Sequence, residues 1–423
     1  MNHEYQIVIV GAGTAGITVA AQLLKKDKRL DVTIIDPAKT HYYQPAWTLV
    51  GAGTFDYEKT ARPMGDLIPK GVKWLQEYVT TFSPKINQIE LKNGDTVHYQ
   101  YLIVCPGIQL NVDGIEGLAE TLGKNNVCSN YVDSNYTWEV LQNFKGGNAL
   151  FTQPATPIKC GGAPQKIMYL SDDHFERTNV KDKTNVIFAT PGSVIFGVKD
   201  FAKTLMQVVD RKNINLKFFH KLVKVDGENK LAYYEITRPS DSDKALEYNV
   251  NPLVNVKEIT STQVAIPFDL LHLAPPQSAP DFIRNSPLAH QEGPSKGWIN
   301  VDHHSLQHNV YPNVYALGDA AALPTAKTGA AVRKQAPVVV SQLMKSIQSS
   351  NKTLLEYKGY SSCPLVTGYG KMVLAEFGYN NVRMSDPFIS KFVDTSKETY
   401  SMWLLKKYGL PYLYWNLMLK GKA

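Results

Sequence analysis

The chain has 423 residues, length for two or three domains at roughly 150 residues each and enough to bury a core without covalent staples. Hydrophobic residues make up 43% and charged residues 20%, which excludes a disordered or fibrous chain. The net charge of +7 is uneven, since residues 391–423 hold six lysines against Asp394 and Glu398; by itself that pattern suits nucleic acid, acidic lipid or a solubilising tail.

In chain order, residues 5–10 (YQIVIV) are a short apolar run, followed by GAGTAGITVAAQLLKK with helical periodicity and DVTIID at 31–36. The pattern is strand, glycine turn, helix, strand. Residues 101–107 (YLIVCPG) are another buried strand, closed by Pro-Gly, and a helix is expected near 136–145. A second α/β block starts at 184 with TNVIFATPG, with a helix over 201–212 and strands over 215–237 around a GEN turn. DLLHLAPP at 269–276 is a strand closed by two prolines, and VYALGDAAALP at 314–324 leads into a long helix from about 328 to 344. From Tyr357 the chain reads as aromatic, irregular and increasingly basic. The first strand starts near Tyr5, so no signal or transit peptide is expected. No run of 18 apolar residues occurs, so no spanning segment is expected either.

This alternation predicts an α/β fold of two Rossmann-like domains with parallel sheets covered on both faces. The chain is expected to leave its first domain near 110 and return near 260. That gives a dinucleotide domain from 1–110 and 261–350, a second Rossmann-like domain over 111–260, and a C-terminal membrane-associating region over 351–423.

Gly11, Gly13 and Gly16 form G-x-G-x-x-G between strand and helix, and Asp36 ends the next strand. Gly11 makes the turn, Gly13 lets amides approach a pyrophosphate, Gly16 permits close packing and Asp36 accepts from a ribose. Ala15, within the same loop, joins them as a candidate contact. VYALGD resembles the second FAD motif of two-dinucleotide-fold flavoproteins, and YLIVCPG resembles their middle motif. Together they make FAD the expected cofactor and add Gly107, Gly318 and Asp319, although Asp319 alone would read as a helix N-cap. The second block has no intact fingerprint. Ala189 to Gly197 retains Gly192 and Gly197 only, with bulky residues between, so a nicotinamide is not the expected electron donor.

The four cysteines are Cys105, Cys128, Cys160 and Cys363, with no C-x-x-C and no Cys/His cluster of metal spacing. They exclude a disulfide scaffold, and no metal is expected. Cys105 sits in an apolar strand as a small hydrophobe. Cys160 is polar-flanked, precedes two glycines and a helix expected to open at Ala163 or Pro164, and has Lys159 and Lys166 nearby, a setting that favours the thiolate. Cys363 precedes proline among small and hydroxyl residues and reads as a loop thiol.

The segments KCGGAPQK, SSCPLVTGY, HYYQPAWTLVGAG and LPYLYWN closely resemble sulfide:quinone oxidoreductases, particularly the branch that includes the mitochondrial enzymes, and the likeness runs from end to end. The resemblance implies a redox-active pair at Cys160 and Cys363, with Cys363 carrying a persulfide and Cys160 facing a flavin. Spacing could not have paired them, because four cysteines allow three connectivities. Cys128 is a departure, a third candidate redox thiol or an inert one. The resemblance also implies that Lys327 and Thr328, opening the long helix ahead of Arg333 and Gln335, point at the flavin, and that Lys166 and Lys406 lie near flavin and quinone. Surface lysines are the plainer account of both, and His41 reads as structural.

The implied partners are sulfide, quinone, a sulfur acceptor (thiol, sulfite or sulfide) and a membrane surface, with no nucleic acid and the oligomeric state left open. The tail from Tyr400 combines Trp and Tyr with lysines, as an interfacial segment does; a helical hairpin packed on the domain is the alternative. Phe377, Lys406, Tyr412 and Trp415 are the quinone-site candidates. The expected location is peripheral and monotopic, on the cytoplasmic face of a bacterial inner membrane. The rivals are a type II NADH:quinone oxidoreductase-like enzyme and a non-catalytic flavoprotein redox sensor.

Overall fold

Ile7, Val8, Ile9 and Val10 are each at most 3% exposed. This is why β1 (Asn2–Val10) reads as an unbroken apolar run, for a parallel strand is covered on both faces. The computed structural model to which it belongs describes residues 2–348 and 354–422, so the boundary expected at 350 lies outside the described residues. α1 (Thr14–Lys26) follows β1, and β2 (Val32–Ile35) returns parallel to it with Ile9 opposite Ile34. β3 (Lys73–Leu75) extends the sheet beyond β2. β4 (Val79–Ser83), β5 (Gln88–Leu91) and β6 (Thr96–Val104) form an antiparallel meander whose last strand lies parallel to β1 on its other side.

The second sheet begins with β7 (Val127–Cys128) and α2 (Ser134–Asn143), which Asp133 caps by accepting the Asn135 and Tyr136 amides. β8 (Gly147–Thr152), α3 (Ala163–Arg177), β9 (Thr184–Ala189), α4 (Lys199–Arg211) and β10 (Asn215–Lys217) continue it. Four strands between residues 220 and 267 form a separate antiparallel sheet, while Glu247–Tyr248 pairs with β10, and β11 (Leu270–Leu273) comes back between β7 and β8. The chain therefore leaves the second sheet after residue 273, later than the return expected near 260. An apolar run announces a strand but not which of two similar sheets will accept it.

β12 (Val314–Ala316) rejoins the first sheet beside the C-terminal half of β6, with Tyr315 opposite Ile103. α5 (Gly329–Gln348) then packs along α1. Where irregular structure was expected, β13 (Ser361–Gly368) and β14 (Lys371–Phe377) pair as a two-stranded ribbon. Pro364 disguised it, because proline argues against a strand, but β13 is paired on one side only. The ribbon lies on α3 and buries Cys363, Leu365 and Val366.

α6 (Tyr400–Leu404) starts a helical tail that widens into π turns at Leu405–Gly409 and Tyr414–Met418. Pro411 between them has no amide to donate to the preceding turn. The tail buries Tyr414, Trp415, Met418 and Leu419 in one core with Ile17, Ala20 and Leu23 of α1, and Lys25 Nζ donates to the Gly421 carbonyl at 3.0 Å. One face is thus domain core, as in the packed-hairpin alternative, while Tyr400, Leu404, Tyr408, Tyr412 and Leu413 stay exposed.

A Cβ on Gly16 would overlap the Gly11 carbonyl oxygen, which is main chain and cannot swing aside. Gly16→Ala should therefore destabilise the protein by roughly 3 kcal/mol or more, read as a lower urea midpoint at unchanged slope.

Candidate active site

Three sequence motifs converge at the C-terminal ends of β1, β6 and β12. Gly11 has φ +105°, and a Cβ there would stand 2.6 Å from the Cys105 carbonyl oxygen, so the first and middle motifs touch. Gly318 has φ +74°, its missing Cβ would lie 3.5 Å from that of Ala15, and its amide donates to Gln335 Oε1 at 2.8 Å. Asp36 accepts the Ala12 amide at 2.6 Å and the Ala38 amide at 2.8 Å. Burial pushes its carboxyl upward, against those two amides. α1 opens with no side-chain cap, and the positions of a Cβ on Gly13 and Gly107 meet open space. Uncapped first-turn amides beside free volume are what an anionic dinucleotide requires.

At the far end of this cleft, Lys327 Nζ donates to the Ala321 carbonyl at 3.0 Å and lies 3.9 Å from the Trp298 ring centroid. Burial brings Lys327 down to about 8, against the pull of Asp319. Asp319 is raised by burial and opposed by Lys159 and Lys327. Thr328 Oγ1 accepts the Ala331 amide at 3.0 Å and so caps α5. Arg333 bonds to the Tyr360 hydroxyl.

The two cysteines paired by resemblance meet beside this end. Cys160 has φ +56°, donates its amide to the Lys327 carbonyl at 2.8 Å and accepts from the Ala163 amide at 2.8 Å. Lys166, in the first turn of α3, donates to Cys160 Sγ at 3.0 Å. β13 delivers Cys363, and the two side chains are hydrogen-bonded to each other. Gly162 makes the room, since a Cβ there would stand 2.6 Å from Cys363 Sγ. The bond from Cys363 holds the Cys160 thiol well below its ordinary range; burial opposes this, and Lys166 and Lys406 add to it. Cys363 is pushed up by the same bond and by burial. Burial works against the Lys166 ammonium, but Cys160 and Cys363 outweigh it and raise its pKa. Expected on a loop, Cys363 instead lies in a buried strand. Cys105 lies one residue beyond the end of β6 rather than within the strand, and it is buried, which pushes its thiol up. Cys128, 1% exposed in β7, is likewise pushed up, to about 12.

Lys406 closes the site from the tail. It is 2% exposed rather than facing lipid, and it donates to the Pro45 carbonyl at 2.7 Å. Burial, with Lys166 nearby, lowers it to about 7. Its neighbour Lys407 lines an outer groove with Thr54, Phe55, Tyr408 and Pro411. Tyr412 is exposed, but Phe377 packs on Phe196 at 5.9 Å and Trp415 lies under Arg62 at 4.2 Å, both as buried core side chains. Their aromatic rings were needed for packing, a demand invisible in the sequence. His41, brought down to about 4 by burial, is neutral. It donates Nδ1–H to the Ala12 carbonyl at 3.3 Å and accepts the Tyr414 hydroxyl at 2.6 Å, while Thr14 donates to Tyr414 at 2.8 Å. The tail is thereby bonded to the glycine loop.

In the second block, a Cβ on Gly197 would stand 3.1 Å from Asn381 Nδ2, and Phe196 packs against Phe201 and Phe377. Asp200 occupies the first turn of α4, 3.3 Å from Arg383. A carboxylate there repels the phosphate that this helix end would otherwise attract.

Sequence reasoning missed Tyr131, whose hydroxyl donates to the Lys159 carbonyl at 2.7 Å, and Gln277, whose Oε1 accepts the Lys159 amide at 2.8 Å. It also missed Gln44, which accepts from Lys159 Nζ. Tyr131 and Gln277 lie in no motif, Gln44 lies in the HYYQPAWTLVGAG segment without a role assigned to it there, and only the fold brings the three to residue 159. Among the described residues, no cluster of His, Cys, Asp or Glu could hold a metal, and no helix is long and apolar enough to cross a membrane.

Residues 5–142 match the family model for pyridine nucleotide-disulphide oxidoreductases. The mitochondrial sulfide:quinone oxidoreductase of Mus musculus is 40% identical over 422 residues, 99% of this chain and 87% of that one. That of Dictyostelium discoideum is 41% identical, over 99% of this chain and 86% of that one. Both relatives are mitochondrial by name, so they lend no support to the expected bacterial inner membrane. The solved sulfide:quinone oxidoreductase of Aquifex aeolicus has the same fold, with a TM-score of 0.78 at 16% identity, covering 100% of this chain and 92% of that one. With such identity sustained across nearly the whole of both chains, this protein belongs to the sulfide:quinone oxidoreductase family.

Proposed function

We propose that the chain oxidises sulfide at the Cys160–Cys363 pair and passes the electrons through FAD to a membrane quinone. The observation that carries this is the contact of these two sulfurs, from distant parts of the chain, with the Lys166 ammonium 3.0 Å from Cys160. The residues present fit FAD. The uncapped loop of Gly11, Gly13, Ala15 and Gly16 would take the pyrophosphate and Asp36 a ribose, Gly107, Gly318 and Asp319 would line the middle, and Lys327 and Thr328 would face the ring. Bound there, FAD supplies two-electron transfer between sulfur and quinone.

In the oxidised pair, hydrosulfide attacks the Cys363 sulfur. A new S–S bond forms there, the Cys160–Cys363 bond breaks, and its electron pair leaves on Cys160 as a thiolate. Lys166 is placed to hold that charge in a buried site, where an unpaired thiolate would be costly. A thiol, sulfite or second sulfide then takes the outer sulfur from Cys363, and reclosing the disulfide releases two electrons. Lys406, poised near neutrality, is suited to hold or give up a proton beside Cys160. Cys128 is proposed to be inert, because its buried thiol has no activating partner charge.

The membrane face we assign is the exposed side of the tail and the segment before it: Phe388, Phe392, Tyr400, Leu404, Tyr408 and Tyr412, with Lys391 and Lys407 among them. The groove beside Lys407 and Tyr408 then offers a quinone entrance that ends near Lys406, replacing Phe377 and Trp415 as candidate walls. The rival NADH-dependent activity is disfavoured by the filled second fingerprint and its Asp200–Arg383 pair. NADH should fail to bleach the flavin where sulfide succeeds. A non-catalytic sensor would show no sustained turnover.

Cys160→Ser and Cys363→Ser should each lower sulfide-dependent reduction of a soluble quinone by at least roughly a hundredfold, whereas Cys105→Ser and Cys128→Ser should keep most of it. Near-parental rates in either of the first pair would refute the assignment. Lys166→Met should raise the Cys160 thiol pKa. Iodoacetamide should then label the reduced protein more slowly at pH 6 to 7, and the two rates should converge at high pH, where both thiols are ionised. Replacing Phe388, Phe392 and Tyr408 together by Ser should weaken binding to anionic liposomes about tenfold or more, with flavin content and sulfide-driven bleaching unchanged.

A further inference from the structure

Cys160 adopts φ +56°, the left-handed backbone region that is unfavourable for a residue with a side chain. Glycine would take this conformation freely but would bring no sulfur, so neighbouring groups must hold it. Five bonds do so from four parts of the chain. The Cys160 amide donates to the Lys327 carbonyl at 2.8 Å, and the Lys159 amide donates to Gln277 Oε1 at 2.8 Å. The Lys159 ammonium reaches Gln44 Oε1. The Tyr131 hydroxyl donates to the Lys159 carbonyl at 2.7 Å and approaches the Cys160 carbonyl at 3.3 Å. Gln277 is 1% exposed, and the two side chains grip residue 159 at both ends, Gln277 at its amide and Tyr131 at its carbonyl.

We propose that Tyr131 and Gln277 form a clamp on the Lys159–Cys160 segment that keeps Cys160 left-handed and so aims its sulfur at Lys166 and Cys363. Both are positioning residues, acting through the main chain and not on the substrate. The proposal rests on reading Cys160 as the reactive thiol. The groups facing that sulfur are Lys166 of α3, Cys363 of β13, Lys406 of the tail, Lys159 beside it, Asp319 after β12 and Tyr131 itself. Among the cations in this group, Lys166 donates directly to the sulfur, at 3.0 Å. Release of the segment would lengthen that bond first.

The test is the pH dependence of Cys160 alkylation in the reduced holoenzyme, followed by iodoacetamide labelling and mass spectrometry of the Cys160 peptide. Tyr131→Phe keeps the ring and removes the hydroxyl. We expect its labelling midpoint to rise by half a unit or more, roughly a threefold loss of thiolate at fixed pH below the midpoint, with flavin content and melting temperature near parental values. Gln277→Leu tests the same clamp from the other side, should Tyr131→Phe not fold, and is expected to move the midpoint the same way. An unchanged midpoint in either folded variant overturns the proposal. Failure of the underlying reading would look different, because Cys160→Ser would then still turn over sulfide whatever the clamp does.

Discussion

The contact between the Lys166 ammonium and the Cys160 sulfur, beneath Cys363, is the interaction on which the site depends. A thiolate and an ammonium are each costly to bury alone and tolerable as a hydrogen-bonded pair. The partners arrive separately: Cys160 from a left-handed turn, Lys166 from the first turn of α3, Cys363 from a ribbon laid across that helix. α3 must therefore be held rigidly. At its far end Asp172 and Asp173 meet Lys181 and Lys212 in a largely buried ion cluster, and Asp173 also accepts the Tyr369 amide at the tip of the ribbon. One helix thus fixes both cysteine-bearing segments, at its start through Cys160 and at its end through the ribbon turn.

The tail is a second consequence of the same geometry. Lys406 completes the electrostatics around the sulfurs, and a few residues later Tyr414 bonds to His41 and Thr14 at the dinucleotide loop. A segment that looks in sequence like a detachable membrane anchor is part of both sites. Its exposed aromatic face and its buried face are two sides of one helical stretch, so that exposed face, the cysteine pair and the glycine loop are mechanically joined through it.

The second Rossmann-like block shows how a nucleotide fold is put to another use. Its sheet and α4 remain, and Phe196, Asn381 and the Asp200–Arg383 pair crowd the loop and first turn that lead into α4. What survives is a rigid platform, and it is this platform that carries α3 and hence Lys166.

Much was legible in the chain itself. Glycine spacing, the acid after β2 and the three strand-ending motifs depend on local backbone demands, which leave a sequence signature: Gly11 and Gly318 need positive φ, and Gly16 needs the absence of a Cβ. The α/β alternation and the electropositive setting of Cys160 are local in the same sense. Pairing Cys160 with Cys363 was not derivable from spacing and came only from resemblance, and the ribbon that delivers Cys363 was masked by Pro364. Tertiary structure alone decided that Lys406 is buried, that Trp415 and Phe377 belong to the core, that β11 joins the second sheet, and that Tyr131 and Gln277 reach residue 159. Each of these is a contact between segments far apart in the chain, set by how sheets and helices stack, and short-range sequence pattern carries no record of it.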